Sequence, residues 1–185
     1  MIKLGLISTE DLEKITSSLS GRAALVRSEL AKATNKAARE VVNLSVEEWN
    51  LYFTAQGYAK SRLDIVSGAT SSRLEAIVSA RNRATRANRF SHRSLPGGGV
   101  HLNVRRGRPG GTLRNAFMVR AKSDGQPLIL ERLTPYRRGE PRNFRGGRFR
   151  AVYAPSVNQF FWDARRRVAP KALSDAKKQF LEGIR

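Results

Sequence analysis

Residues 81 to 150 hold eighteen Lys or Arg against three Asp or Glu, and seventeen of those cations are Arg. Fifteen excess charges within seventy residues repel one another strongly without a counter-charge, so this stretch belongs on a surface that meets a polyanion. The flanks differ: residues 1 to 80 carry ten cations and nine acids, and residues 151 to 185 carry seven and three. Arg binds phosphate oxygens in pairs through a planar fork and stays charged at any pH, which puts nucleic acid first among the candidate partners.

Either side of this stretch the chain has the means to build a core. The 185 residues fit one domain, and 40% of them are apolar, while 27% charged residues and an isoelectric point near 11.5 lie outside the range of an ordinary cytosolic enzyme. There is no Cys, and only His92 and His101 offer imidazole, so neither a disulfide nor a structural zinc nor any other cofactor is expected. The opening MIKLGLISTEDLEK turns polar after seven residues, and no run of eighteen apolar residues follows. We therefore expect no signal peptide and no membrane partner, and a protein made in a reducing cytoplasm.

Leu12, Ile15, Leu19, Ala23, Val26, Leu30, Ala33, Ala37, Val41 and Leu44 follow one another at spacings of three and four, which draws one stripe along a helix. Ser8 or Thr9 suits its N-cap, and Ser20-Gly21 interrupts it, giving one hinged helix or two in succession. Ser45-Val46-Glu47-Glu48 has capping-box spacing and predicts a further helix ending by Gly57, with Trp49, Leu51, Tyr52 and Phe53 packing into the core. Near the C-terminus, Pro155 suits a first turn, and Val157, Phe160, Phe161 and Ala164 share an apolar face. Pro170 should end that helix and open a last one to Gly183, carrying Leu173, Ala176, Phe180 and Leu181 inward.

The middle alternates instead. Leu74, Ala76 and Val78 oppose Glu75, Ile77 and Ser79, and Val100, Leu102 and Val104 oppose His101, Asn103 and Arg105, as in half-buried strands, with a short helix the alternative for residues 74–80. Asp124-Gly125 is a hairpin turn signal that would set Ala121 opposite Leu128 and Val119 opposite Leu130. The fold class is α+β: N-terminal helices packed on a small antiparallel sheet of three or four strands, with C-terminal helices and basic Gly/Arg-rich loops. A single domain, 1–185, is expected, comprising a helical region 1–57, a strand-rich region 72–133, an Arg/Gly-rich loop 134–150 and C-terminal helices 154–185.

Two Gly- and Arg-rich stretches, 94–99 leading to 105–111 on either side of the Val100 strand, and 135–150, have too little apolar side chain to offset backbone ordering and read as loops that gain order on a phosphate backbone. Their arginines Arg105, Arg106, Arg108, Arg137, Arg138, Arg142, Arg145, Arg148 and Arg150 are the candidate polyanion contacts, to DNA or to an acidic partner. Tyr136, Phe144 and Phe149 interleave with them, either to stack on bases or to tuck against the sheet. Val26, Leu30, Val41, Val157, Phe160 and Phe161 are candidate core or subunit interface. The glycines match neither a Walker loop nor a dinucleotide fingerprint. Asp124, Glu131 and Glu140 are the only carboxylates of residues 81 to 150, too few for a magnesium-dependent nuclease, so no enzymatic activity is expected.

Residues 76–90 (AIVSARNRATRANRF), then Arg114-Asn-Ala-Phe-Met-Val119 leading through the Gly125 turn to Leu128-Ile-Leu-Glu-Arg132, then Tyr153-Ala-Pro-Ser-Val-Asn-Gln-Phe-Phe161, resemble the minor tail protein Z family of tailed bacteriophages, also called tail completion proteins. The likeness spans roughly residues 20 to 183 in order, and the Arg-rich insert at 135–150 departs from it. It implies a structural virion protein at the head-proximal end of the tail, in the neck, needed to join tail to head. It further implies assembly in the host cytoplasm, a homo-oligomeric ring, hexameric by preference, and neighbours such as the tail terminator. Double-stranded DNA in the channel is a further expected contact, and backbone contacts suit DNA that must slide. The competing expectation is a free, non-specific RNA- or DNA-binding protein using the same loops.

Overall fold

A computed structural model describes residues 2–6, 8–18, 22–122, 125–133 and 149–183. In chain order its elements are β1 (Ile2–Gly5), α1 (Thr9–Ser18), α2 (Ala23–Tyr52), β2 (Leu63–Ser67), β3 (Glu75–Ala80), β4 (Thr85–Arg86), β5 (Ser91–Ser94), β6 (Val100–Asn103), β7 (Gly111–Leu113), β8 (Ala116–Arg120), β9 (Pro127–Arg132), β10 (Phe149–Ala151), β11 (Tyr153–Ala154) and α3 (Val157–Gly183). Every named strand pairing is antiparallel. The strands form four small sheets ordered β1-β3-β2, β5-β6-β7, β8-β9-β10 and β4-β11. The fold is α+β as read from the sequence, but with more strands than the three or four expected. Strands of two to four residues are too short to display an alternation. Two compact units result, one made of Met1–Glu48, Ala59–Asn82 and Val157–Arg185, the other of Trp49–Tyr58 and Arg83–Ser156.

In the first unit Ser8 caps α1: its hydroxyl oxygen accepts the Asp11 N–H at 3.2 Å and its proton goes to the Asp11 carboxylate at 2.9 Å. The interruption expected at Ser20-Gly21 lies outside the described residues, with α1 ending before it and α2 starting after it. From Ala23 onward α2 is unbroken, so no new helix starts at Ser45. That residue is buried, and its hydroxyl donates to the Val41 carbonyl at 2.6 Å, as Thr34 does to Leu30 at 2.8 Å. Both close the polar side chain onto the helix's own preceding turn, which is how Ser and Thr are accommodated in a helix interior. Val26, Leu30, Ala37 and Val41 form the buried stripe.

Ala76, Val78 and Ala80 of β3 turn inward, as the alternation predicts, and α3 packs on that strand. Lys36 Nζ meets Gln179 Oε1 at 2.5 Å, and the Arg167 guanidinium grips the Glu48 carboxylate at 2.8 and 3.1 Å. The two contacts are twelve residues apart on each helix, so α2 and α3 run antiparallel in matched register. Pro170 does not end α3. It removes the N–H that would bond the Arg166 carbonyl, but Val157, Phe161, Ala164, Val168, Ala172, Ala176 and Phe180 are buried on both sides of it, and their packing holds the helix through. Leu173 is half-buried, whereas Leu181, expected inside, is exposed. On the outer surface Trp162 is exposed, with the Arg165 guanidinium 3.4 Å above its ring.

The second unit is built around an aromatic cluster. Trp49 is fully buried, donates its indole N–H to the Ala55 carbonyl at 2.8 Å, and lies 4.3 Å from Phe53 and 6.2 Å from Phe90 between ring centres. Leu51 and Tyr52, expected beside it in the core, are exposed on the last turn of α2. Ala87, Val100, Ala116 and Ile129 form a further buried group. The β8–β9 hairpin exists, but Val119 faces Leu128 and Phe117 faces Leu130, two residues from the expected register. The Ala121 N–H bonds the Gln126 carbonyl at 2.9 Å, so the connection is longer than a two-residue turn, and a shift of two leaves every side chain on its original face.

Candidate polyanion-binding site

The second unit contains seventeen Lys or Arg and three Asp or Glu. Among the described residues Glu131 is its one carboxylate, and Arg150 already holds it, with Nε at 2.8 Å and Nη2 at 2.7 Å from Oε2. Of the nine arginines expected to contact a polyanion, Arg150 is thus neutralised within the unit. Arg137, Arg138, Arg142, Arg145 and Arg148 lie outside the described residues, as do Tyr136 and Phe144. Phe149 is half-buried and packs edge-on against Phe117, 5.4 Å between ring centres, so it tucks against the sheet.

Arg105, Arg106 and Arg108 remain, all exposed, on the connection between β6 and β7. This connection is held by the chain rather than loose. Phe53 and Arg105 form a β-bridge, the Thr54 N–H donates to the Val104 carbonyl at 3.1 Å, and the Arg106 N–H donates to the Tyr52 carbonyl at 3.0 Å. The Thr54 hydroxyl joins two further segments, donating to the Asn103 carbonyl at 2.6 Å and accepting the Ser91 N–H at 2.9 Å. Beyond Arg106 the backbone reverses at Gly107, whose φ of +67° lies in the left-handed region that glycine enters without strain.

Neighbouring glycines serve backbone approach. A Cβ at Gly110 would sit 2.6 Å from both the Leu102 carbonyl oxygen and His101 Nε2, and one at Gly99 would sit 2.9 Å from the Leu113 oxygen. Residues 94–99 and 105–111, read from their composition as loops, fall, but for their end residues Ser94 and Gly111, on the connections either side of β6, where Gly99 and Gly110 let the backbone of the β5-β6-β7 sheet close up.

That sheet adds a cation that loop composition alone missed. Arg93 stands opposite His101, and His101 Nδ1 lies 3.4 Å from the Thr112 hydroxyl. With Ser91 and Asn103 these residues share the face opposite Val100 and Leu102, and Arg93 is exposed. The signal was present as the alternation of Val100, Leu102 and Val104, which needed only a partner strand to place Arg93. Arg114 and Arg120 are exposed at either end of β8. His92 lies on the other face, its Nδ1 2.8 Å from the Phe90 carbonyl, so the two histidines do not converge. Among the described residues no three His, Asp or Glu stand close enough together to hold a metal ion, and no helix is long and apolar enough to cross a membrane.

Of the six residues expected in core or interface, Val26, Leu30, Val41, Val157 and Phe161 are buried inside the first unit, and Phe160 is half-buried. In comparisons with known proteins, no family model, no curated protein and no solved structure matches the chain.

Proposed function

We propose that the chain is a structural protein of a tailed-phage virion, a minor tail or tail completion subunit that acts at the head-proximal end of the tail in joining tail to head. The order of its segments resembles that family, and the observation that carries the reading is the turn Arg105-Arg106-Arg108, held on bonded backbone and without a carboxylate partner among the described residues. Such a turn keeps its charge for an external polyanion. Repeated around a homo-oligomeric ring, hexameric by preference, it makes a collar of arginine facing DNA or the acidic surfaces of neighbouring neck proteins. Backbone contact with phosphates restrains DNA without selecting a sequence, which suits a passage through which DNA slides.

Disrupting the gene in its source genome and imaging the lysate by electron microscopy tests this. DNA-filled heads accumulating beside separate tails is the expected result. Normally joined particles, or no phage particles under any condition, would overturn it and favour a free nucleic-acid-binding protein.

A further inference from the structure

We propose that the Arg106-Gly107-Arg108 tip inserts into the minor groove of duplex DNA and prefers the narrow groove of A·T-rich segments. The inference rests on the reading above that these arginines face a polyanion, and it names that polyanion and the mode of contact.

The tip has the shape the minor groove demands. Residues 105 to 109 are all exposed, and a Cβ built on Gly107 meets nothing within 4 Å, so the glycine projects into open space. Two guanidiniums therefore flank a point where the backbone has no side chain and can approach the floor of a groove about 6 Å wide. Narrow A·T minor grooves concentrate negative potential, and inserted arginines follow it. The backbone is set before binding: Arg105 is bridged to Phe53, and Arg106 is bonded to Tyr52, so little ordering remains to be done on contact.

Other polyanions fit less well. An acidic protein surface would be expected to meet apolar anchors at the centre of the contact, and residues 105 to 110 carry no apolar side chain except Pro109. Double-stranded RNA presents a wide, shallow minor groove that a single tip does not fill.

Fluorescence anisotropy on the full-length chain tests this with labelled A-tract and alternating G·C duplexes, a double-stranded RNA and polyglutamate. The A-tract should bind about tenfold or more tighter than the G·C duplex, and a minor-groove ligand such as netropsin should displace it. Arg106→Ala/Arg108→Ala should lose at least about tenfold on the A-tract, with the slope of log affinity against log salt shallower by about 1.8. Arg114→Ala/Arg120→Ala removes the same charge elsewhere on the unit and should leave the preference intact. Gly107→Asn keeps both charges and a residue tolerant of left-handed φ, but fills the tip, and should erase the preference.

Equal affinity for the two DNA duplexes, equal losses in the two double variants, or tighter binding to RNA or polyglutamate would overturn the inference. Failure here with heads and tails still unjoined after gene disruption strikes the minor-groove contact alone. A clear A-tract preference in a chain whose loss leaves normal particles strikes the tail role alone.

Discussion

The two units treat charge in opposite ways. The first carries eighteen cations and twelve acids, and its helices and sheet use them internally: Arg167 on Glu48, Lys32 on Glu29, Lys3 on Glu75. Such pairs each contribute little to stability, and the unit as a whole keeps an excess of six positive charges against fourteen in the second. The second carries seventeen cations and three acids, so its stability must come from the Trp49 cluster, the Val100 and Ile129 group and backbone pairing. What the comparison teaches is a division of labour within one chain. Self-repulsion is tolerated where apolar packing and glycine-tight sheets hold the backbone, and it leaves a potential that an outside anion can use.

Five substitutions break or sharpen that contrast. Trp49→Ala removes the centre of the second unit's core and its bond to Ala55, and should cost about 4 kcal/mol in urea unfolding. A loss below about 1 kcal/mol would mean that the aromatic cluster does not hold this unit. Gly110→Ala forces a Cβ against the Leu102 carbonyl and should cost about 2 kcal/mol by the same measurement, whereas Gly107→Ala meets no neighbour and should cost only the strain of its left-handed φ, about 1 kcal/mol. In the first unit, Pro170→Ala restores an N–H to the Arg166 carbonyl inside α3 and should raise stability by about 2 kcal/mol, read as a higher Tm. No gain would show that α3 is already relaxed around the proline. Smallest, Glu131→Gln releases Arg150 and takes away the second unit's one described carboxylate. Affinity for a DNA duplex should rise about twofold and be most visible at low salt.

Legibility followed the range of the interactions. The α2 stripe and the β3 and β6 alternations were readable because periodicity is a local property, and Ala76, Val78, Val100, Val26 and Leu30 are buried accordingly. Ser45 misled because a capping box and an interior Ser bonded to its own helix have the same local spelling. Only the absence of a breaker between Ala23 and Tyr52 separates the two. Pro170 misled for the converse reason, since a strong local breaker was overruled by a buried stripe on both sides. The arginines of the site were visible in composition, but their support was not. The Tyr52–Thr54 segment that holds Val104, Arg105 and Arg106 is about fifty residues away in the chain and carries no motif of its own.

The chain has two tryptophans, and they fall one to each unit. Trp49 is sealed in an apolar cluster, and Trp162 is exposed under the Arg165 guanidinium. A buried indole emits to the blue of a solvated one, so the molecule carries two built-in fluorophores of different colour. Trp49→Phe leaves a reporter of the helical unit and Trp162→Phe one of the arginine-bearing unit, so melting of each can be followed optically without any added label.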